Sequence, residues 1–387
     1  MNGSRTWYVN PDFDLGLRPR PAWTARPGLV RQVRELSAQA LLGAEEGDAA
    51  LLRVPVAGEF LDYLRRRGIP APRVLAHPAV DPATELRPFG WSAEAMDLNR
   101  RHRAPAAHPE PGAIERVNAR SFARDLEAEL DPEGPAGTVV EAVDALERFL
   151  SGAPKGSEWV VKAEHGNAGL ANRRLPVPAL SEADRRFAGN ALAEDDRLVV
   201  EPWLPRERDW CAIFEVPFDP ASFRVHEMSN TRDGALIGAR FEAGAASPEG
   251  LPAVAERVAS KLEREGYFGP ACVDAFTWRD GDRLRLRPLV DLNCRRSMSD
   301  GAYRLWRRTA PDRVLYYRFF NRRKLTLPSA LAPAVKALAE HGFEPSRRRG
   351  VLLASPPAHA KLAVIFAAED RPGVLHLERW FRSRFEG

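Results

Sequence analysis

Residues Gly266–Met298 read GYFGPACVDAFTWRDGDRLRLRPLVDLNCRRSM, and the reading of this stretch decides the fold. Two apolar, β-favouring runs flank an Asp-Gly turn signal at Asp280-Gly281. Each run carries an acid where a buried strand ordinarily has none. Asp274 lies inside Ala271–Phe276, and Asp291 and Asn293 lie two apart in Leu289–Asn293. Strand alternation sends the last two side chains to the same face. Three oxygen-bearing side chains on neighbouring strands suit a hard cation such as Mg²⁺, which keeps several waters and otherwise takes carboxylate and phosphate oxygens. A surface hairpin with solvated acids explains the stretch equally well when it is taken alone. Register adds a constraint. A two-residue turn at Asp280-Gly281 sets Asp274 opposite Arg287, four residues short of Asp291, so a bulge near Pro288 or a longer loop must bring the acids together.

At 387 residues the chain is too long for one compact core, and two to three domains are expected. A hydrophobic content of 44% with 28% charged residues is that of an ordinary soluble globular protein. No apolar run is long enough to span a bilayer. The start, MNGSRTWYVNPDFDLG, lacks an apolar signal core, which argues for a cytoplasmic location. Cys211, Cys272 and Cys294 lack metal-type spacing and read as small core residues in a reducing compartment. The formal net charge is +4, carried by 51 arginines and only six lysines. That bias makes an arginine cluster weak evidence and a lysine in an apolar strand comparatively strong evidence.

From the N-terminus, short strands are expected at 6–9, Ala50–Val56 and Arg73–Ala76, with helices at Leu29–Leu42 and Glu59–Arg67. This is a small three-layer α/β unit without a dinucleotide fingerprint. A linker-like APAAHPEPG follows at Ala104–Gly112. Helices are then expected at Ser121–Leu130, Val139–Leu150, Ser181–Leu192 and Pro252–Arg264. Strands are expected at Trp159–Ala163, Leu198–Glu201, Asp209–Val216, Phe223–Met228 and Ala235–Phe241. Beyond Gly301 the Arg-rich chain reads as helical to about Arg323, with a further helix at Ser329–His341. A closing α/β unit comprises Gly350–Ala354, Lys361–Phe366 and Val374–Phe385.

Three motifs bear on the opening stretch. In Trp159-Val-Val-Lys162-Ala-Glu-His-Gly166-Asn-Ala-Gly169 a strand lysine precedes a glycine-containing loop. The ammonium offers a point charge to phosphate oxygens, and glycines let backbone N–H groups approach them. Taken alone, an edge-strand lysine before an ordinary turn is the simpler explanation. In Leu198-Val-Val-Glu201-Pro-Trp203-Leu204 the proline ends ladder pairing, leaving backbone groups free beside an aromatic and an aliphatic wall. Such a hinge suits the edge of a flat heterocycle, or is simply a strand end. Glu207 and Asp209 follow, suited to ribose hydroxyls or to solvent. His165 lies beside the glycine loop, where an ordinary structural role is the simpler reading.

Strand lysine, glycine loop, hinge glutamate, following acid, and then Asp and Asp-x-Asn on late strands form an ordered set. In that order the chain resembles the ATP-grasp superfamily of ligases across Asn118–Asp300. It further resembles bacterial members with a preceding pre-ATP-grasp domain, including pheganomycin-type peptide ligases. The residues carrying that likeness are FLDYLRRRGIPAPRVL (Phe60–Leu75), PFGW (Pro88–Trp91), VNARSF (Val117–Phe122), GPACVDAF (Gly269–Phe276) and PLVDLNCRRSM (Pro288–Met298). The resemblance implies an α+β fold in which two α+β subdomains clamp ATP, preceded by a small Rossmann-like α/β domain. Its implied boundaries are 1–117 for the preceding domain and 118–300 for the ATP-grasp domain, with 301–387 as an extension packed on that core. Within the ATP-grasp domain, 118–202 would be the nucleotide clamp and 203–300 the metal-site subdomain.

By the same resemblance, Lys162 and Arg120 would contact phosphates, and Gly166 to Gly169 would form a lid over them. Glu201, Trp203 and Leu204 would hold the adenine, while Asp209 or Glu207 would hold the ribose. Asp274, Asp291 and Asn293 would bind Mg²⁺, or Mn²⁺ in its place. Arg295 and Arg296 fall where the family places a group contacting phosphate or the substrate carboxylate. The implied activity is ATP-dependent, ADP-forming ligation of a carboxylate to an amine through an acyl phosphate, with an amino acid or peptide as substrate and a homodimer left open. Two departures stand out. The family has Glu where this chain has Asp291, about 1.5 Å shorter in reach, and Glu164 sits close to the expected phosphates. An attenuated protein that binds nucleotide as a switch is the alternative. A nucleic-acid-binding accessory protein is the more distant one, suggested by Arg304, Arg307, Arg308, Arg322, Arg323 and Lys324 but unsupported by any aromatic-interleaved motif.

Overall fold

The computed structural model describes residues 4–18, 27–135, 137–166, 172–177, 179–232 and 234–387. Four short strands, β1 (Arg5–Tyr8), β2 (Ala49–Leu52), β3 (Arg73–Ala76) and β4 (Glu85–Pro88), form a parallel sheet in the order β3-β2-β1-β4. All of β2 is buried, as a parallel strand covered on both faces must be. The helix Gly58–Arg66 crosses from β2 to β3 and buries Phe60, Tyr63 and Leu64. It ends in a Schellman-type cap: Ile69 N–H donates to the Leu64 carbonyl at 3.0 Å, and Gly68 takes the left-handed φ of +74° that this closure requires. The expected α/β unit is present, with β4 as an additional strand.

A second, antiparallel sheet contains β5 (Thr138–Val140), β6 (Glu158–Ala163), β7 (Asn172–Pro176) and β8 (Leu198–Pro202) in the order β5-β8-β6-β7. Alternation divides its faces. Trp159, Val161, Leu198 and Val200 pack under the helices Val143–Ser151 and Glu182–Asp195. Val160, Lys162 and Glu201 are left on the opposite face. Ser181 and Asp184 form a reciprocal capping box at the start of the second helix. The helix expected over Val139–Leu150 therefore begins only at Val143, because the β-branched run Thr138–Val140 pairs with β8.

The third sheet is antiparallel and has eight strands. These are β9 (Arg206–Val216), β10 (Arg224–Asn230), β11 (Leu236–Phe241), β12 (Gly269–Asp280), β13 (Arg283–Asn293), β14 (Val314–Asn321), β15 (Gly350–Leu353) and β16 (Lys361–Ala368). Their order is β13-β12-β9-β10-β11-β14-β16-β15. The expected helix from 301 to 323 stops at Thr309. Beyond it VLYYRFFN is a strand, since its aromatic-rich run favours extended backbone and its ladder pairs with β11 on one side and β16 on the other. The sheet thus runs straight through the boundary expected at residue 300. One core cluster joins Trp7, Leu41 and Phe60 to Phe241, Tyr317, Phe366 and Phe381. The linker-like Ala104–Gly112 leads directly into the helix Pro111–Val117, with proline at its first position and Ile114 and Val117 buried.

Candidate functional site

The hairpin β12–β13 decides where the acids go. Its two-residue turn is Gly281-Asp282, one residue later than expected, since Asp280 pairs with Arg283. Gly281 takes a φ of +59°, as the first central residue of a primed hairpin turn does. The ladder then holds Phe276 opposite Arg287 and shifts register before Asp274. The shift absorbs two extra residues of β13 around Pro288, which has no N–H to give the ladder. Beyond it, Asp274 stands opposite Asp291 and Cys272 opposite Asn293. The bulge required by the sequence is the device that juxtaposes the two carboxylates.

These acids form one wall of a cleft between the β6–β8 face and the β9–β13 face. The cleft encloses roughly 1250 Å³ of non-atom space, part of it open to solvent. That is enough for a ligand the size of a nucleotide. Lys162 and Arg120 reach it from the opposite wall. The Lys162 ammonium donates to the Val290 carbonyl at 3.0 Å and lies 3.1 Å from Glu201 and 3.7 Å from Asp291. Arg120 donates to Asp291 at 3.3 Å and to the Ala163 carbonyl at 2.7 Å. Burial pushes the Asp291 carboxyl up, but Lys162 and then Arg120 hold it below the usual carboxylate range. Asp274 behaves oppositely. Burial, and then the Asp291 charge, push it up to about 7, with Arg295 acting against them.

Two carboxylates this close repel each other, and a cation between them would relieve the repulsion that adds to burial in raising Asp274. The donor set fits a hard ion, with two carboxylates and the amide of Asn293, whose Nδ2 lies 3.4 Å from Asp274. Among the described residues no three His, Cys, Asp or Glu side chains converge as a metal cage. A cation held by these few oxygens would complete its shell with water or ligand oxygens. The Asn293 side-chain oxygen Oδ1 also accepts from Arg295 at 2.8 Å.

The expected site residues separate into two groups. Arg120, Lys162, Gly166, Trp203, Asp209, Asp274, Asp291, Asn293 and Arg295 line the cleft. Gly169 lies outside the described residues. Glu201 is buried beneath the cleft, where its carboxylate forms ion pairs with Lys162 and Arg287, each at 3.1 Å, instead of facing a ligand. Glu207 points away and pairs with Arg279 at 2.9 Å, leaving Asp209 as the cleft acid. Leu204 packs behind the wall on Phe276, Trp278 and Val290. Arg296 belongs to a neighbouring cavity. Glu164 is turned out of the cleft, where it accepts from Ser121 N–H at 3.2 Å at the start of the helix Arg120–Leu130. His165 lines the cleft, with its Nδ1 3.6 Å from Asp195.

Several participants were not anticipated from the sequence. Arg206 donates to Asp209 at 3.1 Å and stacks between Trp203 and Phe276, 5.0 and 4.4 Å from their ring centroids. Asp14, at the N-terminus, grips Arg295 with two bonds of 2.8 Å. Arg287, 1% exposed, makes a two-pronged pair with Glu127 at 2.6 and 2.8 Å and reaches Glu201 at 3.1 Å. Asp14 and Glu127 lie far along the chain from Arg295 and Arg287, so no local pattern announces those two pairings.

No family sequence model matches the chain, and no curated protein matches it by sequence. Solved structures do match its fold. The N5-carboxyaminoimidazole synthetase from Staphylococcus aureus, complexed with ADP, aligns with a TM-score of 0.51 at 12% identity, covering 99% of this chain and 97% of that one. An N5-carboxyaminoimidazole ribonucleotide synthetase in complex with ADP aligns at 0.55 and 13%, covering 98% and 96%. Biotin carboxylase from Campylobacter jejuni, complexed with β,γ-ATP, aligns at 0.54 and 12%, covering 99% and 92%. This is the ATP-grasp fold. The ATP-grasp likeness spans the parallel sheet and the C-terminal strands as well as the cleft. Among the described residues, no helix is long and apolar enough to cross a membrane.

Below the ATP-grasp cleft, His226 is fully enclosed, with its Nε2 2.9 Å from the Ser299 hydroxyl and its ring against Phe241. Burial, and then the Arg224 cation, push its pKa from 6.5 down to about 3, with Asp300 acting against them. The folded protein refuses a proton that the unfolded chain accepts below 6.5. Stability from this group is therefore complete above that pH and is lost progressively as pH falls towards 3. At pH 5 the loss amounts to about 2 kcal/mol. Thermal melts from pH 7 to 5 should show a steeper fall for the wild type than for His226→Gln. Equal slopes would remove His226 from the acid sensitivity.

Proposed function

We propose that this chain is an ATP-dependent, ADP-forming carbon–nitrogen ligase, joining a carboxylate to an amine through an acyl phosphate. An amino acid or small peptide is among its substrates. The observation that carries the reading is the convergence of Lys162, Arg120 and the Asp274–Asp291 pair on one cleft of an ATP-grasp fold. Cations and acids from four separate elements face the same space, as binding a triphosphate together with a divalent ion requires.

In this reading Lys162 and Arg120 hold phosphate oxygens, and the backbone around Gly166 covers them. Val160, Trp203, Met228 and Leu236 supply the apolar slot for the base, and Asp209, steadied by Arg206, accepts from the ribose. Asp274, Asp291 and Asn293 would hold Mg²⁺, which would neutralise phosphate charge and orient the triphosphate. The substrate carboxylate attacks the γ-phosphorus, and ADP leaves. The amine then attacks the acyl phosphate carbonyl, expelling phosphate and leaving an amide. The enzyme's contribution is position and charge, so no Ser-His-Asp constellation is needed. Enclosure protects the acyl phosphate from water.

The test is a screen of amino acids and dipeptides for stimulated phosphate release with Mg·ATP, with mass spectrometry of the products. Asp291→Ala should reduce release at least about 100-fold. Failure of the purified protein to bind either ATP or ADP would sink the reading.

One observation favours a second reading, a nucleotide-binding switch without turnover. Asp291 is shorter than glutamate and already engages both Lys162 and Arg120. Asp291→Glu discriminates between the two. A ligase tuned to aspartate should change its rate less than tenfold, whereas an attenuated protein should gain far more.

A further inference from the structure

A second cavity lies beside the first and has Arg295 in its wall as well. It sits where the carboxyl end of β4 meets the start of β12, at the end of a parallel sheet where ligands commonly bind. Besides Arg295, which Asp14 already grips, three charged side chains face it: Arg87, Arg296 and Glu215. Their hydrogen bonding is incomplete. The Arg296 guanidinium has no hydrogen-bond acceptor among the described residues. Its nearest acid, Asp300, is 3.7 Å away, and its Nε is buried without a partner. Arg87 gives one bond of 2.8 Å to Glu85, and its Nε is likewise buried and unpartnered. The half-buried Glu215 carboxylate has no ion pair among the described residues. Leaving such groups unpaired is costly unless something arrives to satisfy them. Between the charges the wall is aromatic, with Trp91, Tyr267 and Phe268; Phe268 is 37% exposed.

We propose that this cavity binds one of the two substrates as a zwitterion, namely an amino acid with an apolar side chain. Its carboxylate lies against Arg87 and Arg296, its ammonium against Glu215, and its side chain among Trp91, Tyr267 and Phe268. The proposal rests on the ligase reading and adds to it the class of one substrate. Arg295, shared by both walls, places that substrate next to the phosphate cleft. A bare carboxylic acid would bring no cation to Glu215, and a bare amine would bring no acceptor to the guanidinium N–H groups that Glu85 and Asp300 leave unsatisfied, so both charges are needed.

Calorimetric titration of the full-length wild type with phenylalanine, 3-phenylpropanoate and phenethylamine tests this, with Mg·ATP titrated separately. Phenylalanine should bind at least about tenfold more tightly than either analogue. Glu215→Gln should erase the preference for phenylalanine over 3-phenylpropanoate, and Arg87→Gln should weaken both acids. Thermal melts establish that the variants fold, and the analogue series on the wild type stands if they do not. Analogues that bind as tightly as phenylalanine would overturn the proposal. So would the absence of heat from phenylalanine, leucine, isoleucine and methionine at millimolar concentration. Mg·ATP binding with no amino-acid binding would refute this pocket alone. Amino-acid binding without Mg·ATP binding would uphold the pocket and refute the ligase reading.

Discussion

Lys162→Ala should lower ATP-dependent phosphate release on the order of 10²–10³-fold while leaving the fold largely intact. Lys162 is 2% exposed, and its ammonium faces the Val290 carbonyl, Glu201 and Asp291. A charge fixed in a dry wall is worth far more to an incoming phosphate than a mobile surface lysine, because the cost of arranging it was met on folding. The stability penalty is limited by redundancy. Glu201 retains Arg287 and Asp291 retains Arg120, so neither acid is left without a cation. Steady-state kinetics with varied ATP, read beside a thermal melt, separate the two effects. A folded Lys162→Ala protein with wild-type turnover would exclude the lysine from the phosphate site.

Arg287→Met should do the reverse, destabilising the protein by about 3–5 kcal/mol through an unpaired buried charge. Arg287 is 1% exposed and pairs with both Glu127 and Glu201. Burial alone would force the Glu127 carboxyl up, and it remains raised even with Arg287 opposing the shift. Removing the guanidinium strands Glu127 completely, while Glu201 keeps Lys162. The double replacement Arg287→Met with Glu127→Leu should therefore recover most of the loss, since neutral packing replaces a desolvated pair at small net cost. Urea unfolding of the two single variants and the double variant completes the cycle. If Arg287→Met alone is as stable as wild type, the pair is not a structural element.

Most of the elements facing the cleft were legible from the sequence because their signals are local. Trp159–Ala163 and Leu198–Glu201 are apolar runs bounded by Gly and Pro, and both are strands. Asp274 and Asp291 stood out as acids within such runs. Register was harder, because Asp280-Gly281 and Gly281-Asp282 are both acceptable turns and only the completed ladder selects one. The region 301–323 misled because arginine density outweighed the aromatic and β-branched content of Val314–Asn321, a preference satisfied only when β11 and β16 flank it. What the sequence could not reveal was pairing at a distance. Arg287 resembles any arginine of an exposed hairpin until Glu127 closes on it from 160 residues away. Arg295 is in the same position until Asp14 reaches it across 281 residues.

The continuity of the eight-stranded sheet has a consequence for how the protein is made. β12 and β13 carry the acids, but their sheet extends through β11 to β14, β16 and β15. The chain leaves the ribosome N-terminus first, so every residue lining the cleft is available while β11 still has an unpaired edge. That edge finds its neighbour only after Val314–Asn321 has emerged. The core joining Trp7 to Phe381 closes later still. A nascent chain stalled before β14 should therefore display all the cleft residues without the frame that holds them, with its open strand edge as the surface for a chaperone to guard.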